Sequence, residues 1–181
     1  MSTPESQETG HKQRPVLWLA LLALATLAVD LGTKIWALSA LEGREPVRLL
    51  GGALYLSFAR NTGAAFSLAS GYTVVLTVVS LTVVAVIIRF AARLRSMPWA
   101  IALGLILGGA TGNLVDRLFR APGPLRGAVI DFLSLFDKHG DVWPIFNFAD
   151  SALVCGVALA VVLELTGRRL NGTRVVKAEK A

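Results

Sequence analysis

The chain has 181 residues, 54% hydrophobic and only 17% charged, with a mean hydropathy of +0.62. That balance excludes an ordinary soluble domain and points to an integral membrane protein. The single cysteine, Cys155, excludes an intrachain disulfide, and the net charge of +6 has to be read by loop position before nucleic acid is considered.

Residues 1–13 are polar and read as a cytoplasmic tail. His11, Lys12 and Arg14 precede the apolar run 16–29, as in a secretory signal, but Asp30 and Lys34 interrupt the region where such a signal is cleanest. The run is therefore expected as an uncleaved first span, 14–40. The connection 42–71 contains "VRLLGGALYLSFARNTG", whose near-alternating apolar residues and glycines predict short strands or a hairpin. The second span, 72–88, is "YTVVLTVVSLTVVAVII"; its Val and Thr favour strands in water, yet a lone strand cannot satisfy its backbone in a bilayer. The third span, 97–115, carries Gly104, Gly108 and Gly112, two overlapping G-x-x-x-G spacings that read as close helix packing. The connection 116–144 includes "GAVIDFLSLF", another expected strand, and the charged "DKHGD", where Asp137, His139 and Asp141 read as solvated. The fourth span covers 145–166, and 167–181 is a basic tail, polar and expected disordered from residue 173.

The all-basic connection with Arg89, Arg93 and Arg95 and the basic tail with Arg168, Arg169 and Arg174 place both termini in the cytoplasm. Both longer connections then face outward. The expected fold is an all-α membrane protein of four transmembrane helices with a small extracytoplasmic β-rich segment, one unit over 14–166.

Acids inside a bilayer are costly and commonly functional. Counted at about 1.5 Å per residue from the basic anchors, Asp30 lies roughly 24 Å, Asp150 roughly 27 Å and Asp116 roughly 31 Å across, near one outer interface. Asn113 and Asp116 are three apart, as are Asn147 and Asp150, so each pair is expected on one helix face. Asp30 and Lys34, four apart, read as a structural ion pair; Asp116 and Arg117 read as an interfacial helix end or a buried salt bridge. Asn113 and Asn147 fit interhelical hydrogen bonds. Asp150 has no basic neighbour in sequence.

There is no zinc-type His/Cys cluster, no G-x-S-x-G and no phosphate loop. What remains is carboxylate chemistry: two close acids share a proton, so one can activate water while the other protonates a leaving group. Spacing alone leaves open which two of Asp30, Asp116, Asp131 and Asp150 pair.

"VDLGTK" (29–34), "ARNTGAAFS" (59–67), "GGATGNLVDRL" (108–118), "VIDF" (129–132) and "FNFADSAL" (146–153) together resemble the signature blocks of the lipoprotein signal peptidases, or type II signal peptidases. The resemblance covers nearly the whole chain between its tails. It implies an aspartic endopeptidase of the bacterial inner membrane that removes signal peptides from prolipoproteins, cutting before a diacylglyceryl-modified cysteine. It implies Asp131 and Asp150 as the catalytic pair, with Asp30, Lys34, Asn61, Gly63, Asn113, Asp116, Arg117 and Asn147 shaping or supporting the site, Arg117 by pairing with Asp116. It implies no metal or cofactor, no nucleic acid and no stable protein partner; the partners are substrate and membrane lipid. The segment 119–129 reads as longer than the family requires. Rival readings are a small ion-coupled transporter using intramembrane acids, a metal-dependent membrane enzyme, and a structural membrane subunit.

Overall fold

The computed structural model describes residues 14–63 and 72–175. The tail 1–13, the stretch 64–71, which holds part of the "ARNTGAAFS" block, and residues 176–181 lie outside the described residues.

Four helices are long and apolar enough to cross a bilayer: α1 (Pro15–Ala40), α2 (Tyr72–Ala91), α3 (Met97–Phe119) and α4 (Phe148–Leu165). Hydrocarbon offers no water to backbone groups, so even the Val- and Thr-rich α2 is helical. Its hydroxyls bond back to the preceding turn: Thr77 donates to Thr73 O (2.8 Å) and Thr82 to Val78 O (2.8 Å). Large apolar side chains such as Leu24 (63% exposed), Ile35 (64%) and Val154 (67%) cover the outer faces, the pattern expected against lipid, and Cys155 is exposed among them.

α3 is the central helix and packs against α1, α2 and α4. Its glycines allow the approach. A Cβ at Gly108 would lie 2.5 Å from Thr26 Cβ and 2.7 Å from Ala23 O, and one at Gly112 would strike the Asp30 carboxylate. The G-x-x-x-G spacing is thus a packing device, as expected.

The connections build a three-stranded antiparallel sheet in the order β1 (Val47–Leu49), β2 (Leu54–Asn61), β3 (Val129–Leu135). β2 and β3 pair through Leu54↔Leu135 at one end and Ala59↔Asp131 and Asn61↔Val129 at the other, with an irregularity between Leu56 and Ala59. Ile130 and Phe132 of β3 pack with Ala37 and Leu41 at the end of α1. Phe146 extends the sheet locally: Leu133 N donates to Phe146 O (2.8 Å) and Phe146 N to Leu133 O (2.9 Å). The start of α4 is thereby tied to β3.

Three boundaries differ from the sequence reading for physical reasons. α3 continues to Phe119, so Asp116 and Arg117 lie inside a helix rather than beyond one. α4 begins at Phe148, because Phe146 pairs with Leu133 of β3 and Asn147 caps the helix. Residues 173–175, read as tail, fold back: Arg174 bridges to Arg168.

An ion cluster ties the helices together. Lys34 Nζ lies 2.8 Å from Asp30 Oδ2 and 2.9 Å from Asp116 Oδ2, with all three side chains fully buried. The Asp30 contact is a charge contact rather than an aligned hydrogen bond. Asp30 Oδ1 accepts from Ala149 N of α4 (3.0 Å). Asp116 also pairs with Arg120 and accepts from Ile130 N (3.2 Å). One buried ammonium therefore links α1 to α3, and its two acids extend the link to α4 and β3.

Removing one partner of a buried ion cluster leaves uncompensated charge. Lys34→Met is expected to lower stability by about 3–5 kcal/mol. Arg60→Gln, which breaks the Arg60–Glu42 pair, about 45% exposed, is expected to cost under about 1 kcal/mol. Thermal unfolding in detergent compares them, and equal losses would contradict the cluster's role.

Candidate active site

The polar residues singled out in the sequence converge at the end of the bundle covered by the sheet. β3 delivers Asp131, which is 1% exposed. The α4 start delivers Asn147 and Asp150, α3 delivers Asn113, Asp116 and Arg117, α1 delivers Asp30 and Lys34, and the end of β2 delivers Asn61.

Three asparagines hold the two candidate acids, and each is oriented by a donor on its oxygen. Asn113 Oδ1 accepts from Lys34 Nζ (3.0 Å), so its amide nitrogen points the other way and donates to Asp150 Oδ1 (2.7 Å). Asn147 Oδ1 accepts from Asp150 N (3.0 Å), and Asn147 Nδ2 donates to Asp131 Oδ1 (2.7 Å) and to Asn113 Oδ1 (3.0 Å). Asn61 Oδ1 accepts from Gly63 N (2.7 Å), which leaves Asn61 Nδ2 to donate to Asp131 Oδ2 (2.9 Å). Gly63 has φ +88°, a conformation that disfavours a side chain and lets the chain turn directly after β2.

The two "N-x-x-D" segments look alike in sequence but are built differently. Asn113 and Asp116 both sit within α3, while Asn147 is an N-cap in extended conformation (φ −129°, ψ −175°). Asn147 and Asp150 form a capping box: Asp150 Oδ2 accepts from Asn147 N (3.1 Å) while Asp150 N donates to Asn147 Oδ1. The expected shared helix face is thus a reciprocal cap in the second segment. It presents Asp150 in the first turn of α4, where the helix dipole favours negative charge.

Asp116 is occupied by Lys34, Arg120 and Ile130 N, and forms no ion pair with Arg117. The expected Asp116–Arg117 pairing is replaced by Asp116–Arg120, because residues four apart share a face inside the longer α3. Arg117 is 8% exposed, and its Nε and Nη1 have no hydrogen-bond partner among the described residues. The charges it feels are those of Asp131, Asp150 and Asp116. Two buried donors therefore stand unused beside the candidate acids.

Burial, and then the charge of Asp150, push the Asp131 carboxyl up to about 7. A cleft of about 270 Å³ opens beside it, lined by Asn61, Thr62, Asp131, His139 and Ile145 among others. His139, read as a solvated loop residue, is on the rim of this cleft. Asp137 is exposed as expected, yet it organises the loop: its carboxylate accepts from the backbone N–H of His139 (2.6 Å), Gly140 (2.9 Å) and Val142 (3.0 Å). Those bonds, foremost the one from Val142, hold its carboxyl below the usual carboxylate range. Sequence reasoning missed Arg120, whose four-residue spacing from Asp116 was the available signal. It also missed the backbone donors of Ala149 and Ile130, for which it holds no signal.

The family model for Signal peptidase (SPase) II matches residues 22–166. The lipoprotein signal peptidase of Rhodococcus jostii (strain RHA1) is 49% identical over 168 residues, covering 93% of this chain and 81% of that protein. The lipoprotein signal peptidase of Mycobacterium avium (strain 104) is 49% identical over 162 residues, covering 88% and 86%, and that of Streptomyces coelicolor is 46% identical over 166 residues, covering 92% and 79%. A solved bacterial membrane enzyme, determined by the in meso method, shares the fold with a TM-score of 0.68 and 26% identity over 81% of this chain and 92% of that one. The chain belongs to the signal peptidase II family.

Proposed function

We propose that this peptidase removes the signal peptide from prolipoproteins, cutting N-terminal to the diacylglyceryl-modified cysteine, with Asp131 and Asp150 as an aspartic pair. The observation that carries this reading is the position of Asn147. Its side chain donates to Asp131 at 2.7 Å while its backbone N–H donates to Asp150 at 3.1 Å. One residue thus bridges acids from β3 and α4 and keeps them within reach of one scissile bond.

The pair holds one proton between its members. Asp131, raised to about 7, is the member that carries it at rest. Asp150 takes a proton from water as the water oxygen attacks the scissile carbonyl carbon. As the C–N bond breaks, the pair returns a proton to the departing amide nitrogen. Arg117, with two unused N–H donors, meets the carbonyl oxygen or the neighbouring substrate backbone. Asn113 and Asn61 orient the acids, and Asp30, Lys34 and Asp116 support them from below.

The site lies at the outer membrane face, in a chain with both termini in the cytoplasm of a bacterial inner-membrane setting. The 2–3 connection and the segment after α4 share one end of the bundle, since Arg95 N donates to Leu170 O (2.9 Å), and both are basic. The substrate's signal helix lies against the lipid-exposed helices with its lipid in the bilayer. The end of β2 around Asn61 clamps it from above, as a lid does.

Asp131→Asn and Asp150→Asn are each expected to lower cleavage of a diacylglyceryl prolipoprotein by at least about a thousandfold, with the fold retained. Asp137→Asn is expected to stay near wild type, since the Asn oxygen still accepts from His139 and Gly140 and the exposed Val142 N–H can turn to water. Full cleavage by either of the first two variants would contradict the pair. Proteoliposome ion flux without cleavage would instead support a transporter.

A second expectation concerns pH. The folded Asp131 binds its proton more tightly than the unfolded chain does, whose value is 3.8. Its contribution to stability is therefore greatest below that value and falls as pH rises toward about 7, by up to about 4 kcal/mol. Asp131→Asn escapes this loss. Its melting temperature is expected to gain on wild type as pH rises through that window and to level off above it. A gap that stays constant with pH would contradict the raised Asp131.

A further inference from the structure

A second concentration of charge lies at the end of the bundle away from Asp131 and Asp150. α2 ends there at Ala91, α3 begins at Met97 and α4 ends at Leu165. The chain after α4 does not simply trail away. Arg168 and Arg174 form an antiparallel bridge, Arg169 N donates to Thr173 O (2.9 Å), and Val175 N donates to Gly167 O (2.9 Å). This small hairpin docks on the connection between α2 and α3. Arg95 N (2.9 Å) and Ser96 N (3.1 Å) both donate to Leu170 O, and Trp99 Nε1 donates to Arg168 O (2.8 Å). Positive charge at a span end is an ordinary sign of topology. A folded hairpin that gathers it around one cleft is more than topology requires.

The cleft, of about 370 Å³, is lined by Arg95, Ser96, Pro98, Arg168, Arg169 and Arg174 among others. All four arginines are exposed, and none has a carboxylate partner among the described residues. The Arg174 guanidinium makes one long contact, from Nε to Thr166 O (3.4 Å). Glu164 lines two adjoining clefts without pairing to any of them. At the cleft's inner side is the start of the 23-residue α3, whose first-turn N–H groups have no side-chain cap. Ser96 is its N-cap residue. It is 8% exposed, and its hydroxyl makes no hydrogen bond among the described residues. A nearly buried, unused hydroxyl at a long helix start, ringed by guanidinium groups, is a donor set for a phosphate oxygen.

We propose that this cleft binds the phosphate of an anionic phospholipid headgroup, in the leaflet opposite the candidate active site. A lipid fits better than a free anion because exposed apolar side chains adjoin the cleft: Leu165 (82% exposed) and Val175 (49%) share a neighbouring cleft with Arg168, Arg169 and Arg174, and Phe90 (40%) shares another with Arg169. Acyl chains would cover these while the phosphate meets Ser96 and the arginines. Basic pockets between span ends are where anionic headgroups bind. The bound headgroup holds the ends of α2, α3 and α4 at one depth and so sets the height at which α4 presents its opposite end.

Titration of the purified full chain in nonionic detergent with phosphatidylglycerol, read by native mass spectrometry, tests this. Saturable binding is expected, at least about tenfold tighter than for phosphatidylcholine. Arg168→Gln and Arg174→Gln are each expected to weaken it about fivefold, and Ser96→Ala to weaken it similarly. Arg126→Gln, at the other end of the bundle, is expected to bind as wild type does. Melting curves without lipid check that each variant folds. Equal binding of phosphatidylcholine, or wild-type affinity in both Arg168→Gln and Arg174→Gln, would overturn the proposal. Displacement of phosphatidylglycerol by an equal concentration of inorganic phosphate would overturn the lipid as the ligand.

Discussion

The Lys34 ammonium has three N–H groups and three oxygens around it: Asp30 Oδ2 at 2.8 Å, Asp116 Oδ2 at 2.9 Å and Asn113 Oδ1 at 3.0 Å. In a membrane interior such a charge is tolerable only when fully paired. Pairing it fixes more than the helix contacts. Because the ammonium can only donate, it selects the oxygen of Asn113, and the Asn113 nitrogen must then face Asp150. The same oxygen also accepts from Asn147, whose nitrogen faces Asp131. A charge buried among the helices thus determines which way two amides point and, through them, where two acids stand.

The acids are held by donors alone. Asp131 accepts from Asn61 and Asn147 on separate oxygens, and Asp150 accepts from Asn113 and from the Asn147 backbone on separate oxygens. Such surroundings fix carboxyl geometry without neutralising charge, so repulsion between the pair persists. Burial and that repulsion raise Asp131 to about 7. This differs from Asp116, whose lysine and arginine partners absorb its charge. One buried acid is paired with cations and the other only with amide donors, and that difference in partners separates their surroundings.

Much of the fold was legible in the sequence, because the bilayer imposes simple rules on length, apolarity and charge. The four helices, the strands around "YLSFARN" and "VIDF", and the packing role of Gly104, Gly108 and Gly112 follow from those rules. Depth counting also brought Asp30, Asp116 and Asp150 to one level. It could not separate Asp116 from Asp131 as the partner of Asp150, since the distinction rests on contacts between residues far apart in the chain. Lys34 and Asn113 are 79 positions apart, and Asp30 and Ala149 are 119 apart. The repeated N-x-x-D spacing misled in the same way. Its second copy is a capping box because the preceding residues are drawn into pairing with β3, a tertiary effect that spacing does not encode. Resemblance to the family, rather than residue spacing, singled out Asp131.

A proton shared by the proposed pair would be seen through the carboxyl stretch in an infrared pH titration of the detergent-solubilised protein. A protonated carboxyl that ionises near 7 in wild type, is lost in Asp131→Asn and ionises at lower pH in Asp150→Asn, while burial still holds it above the ordinary range, would establish the coupled pair. A wild-type spectrum with no carboxyl titrating above the ordinary range, or one that persists unchanged in Asp131→Asn, would contradict it.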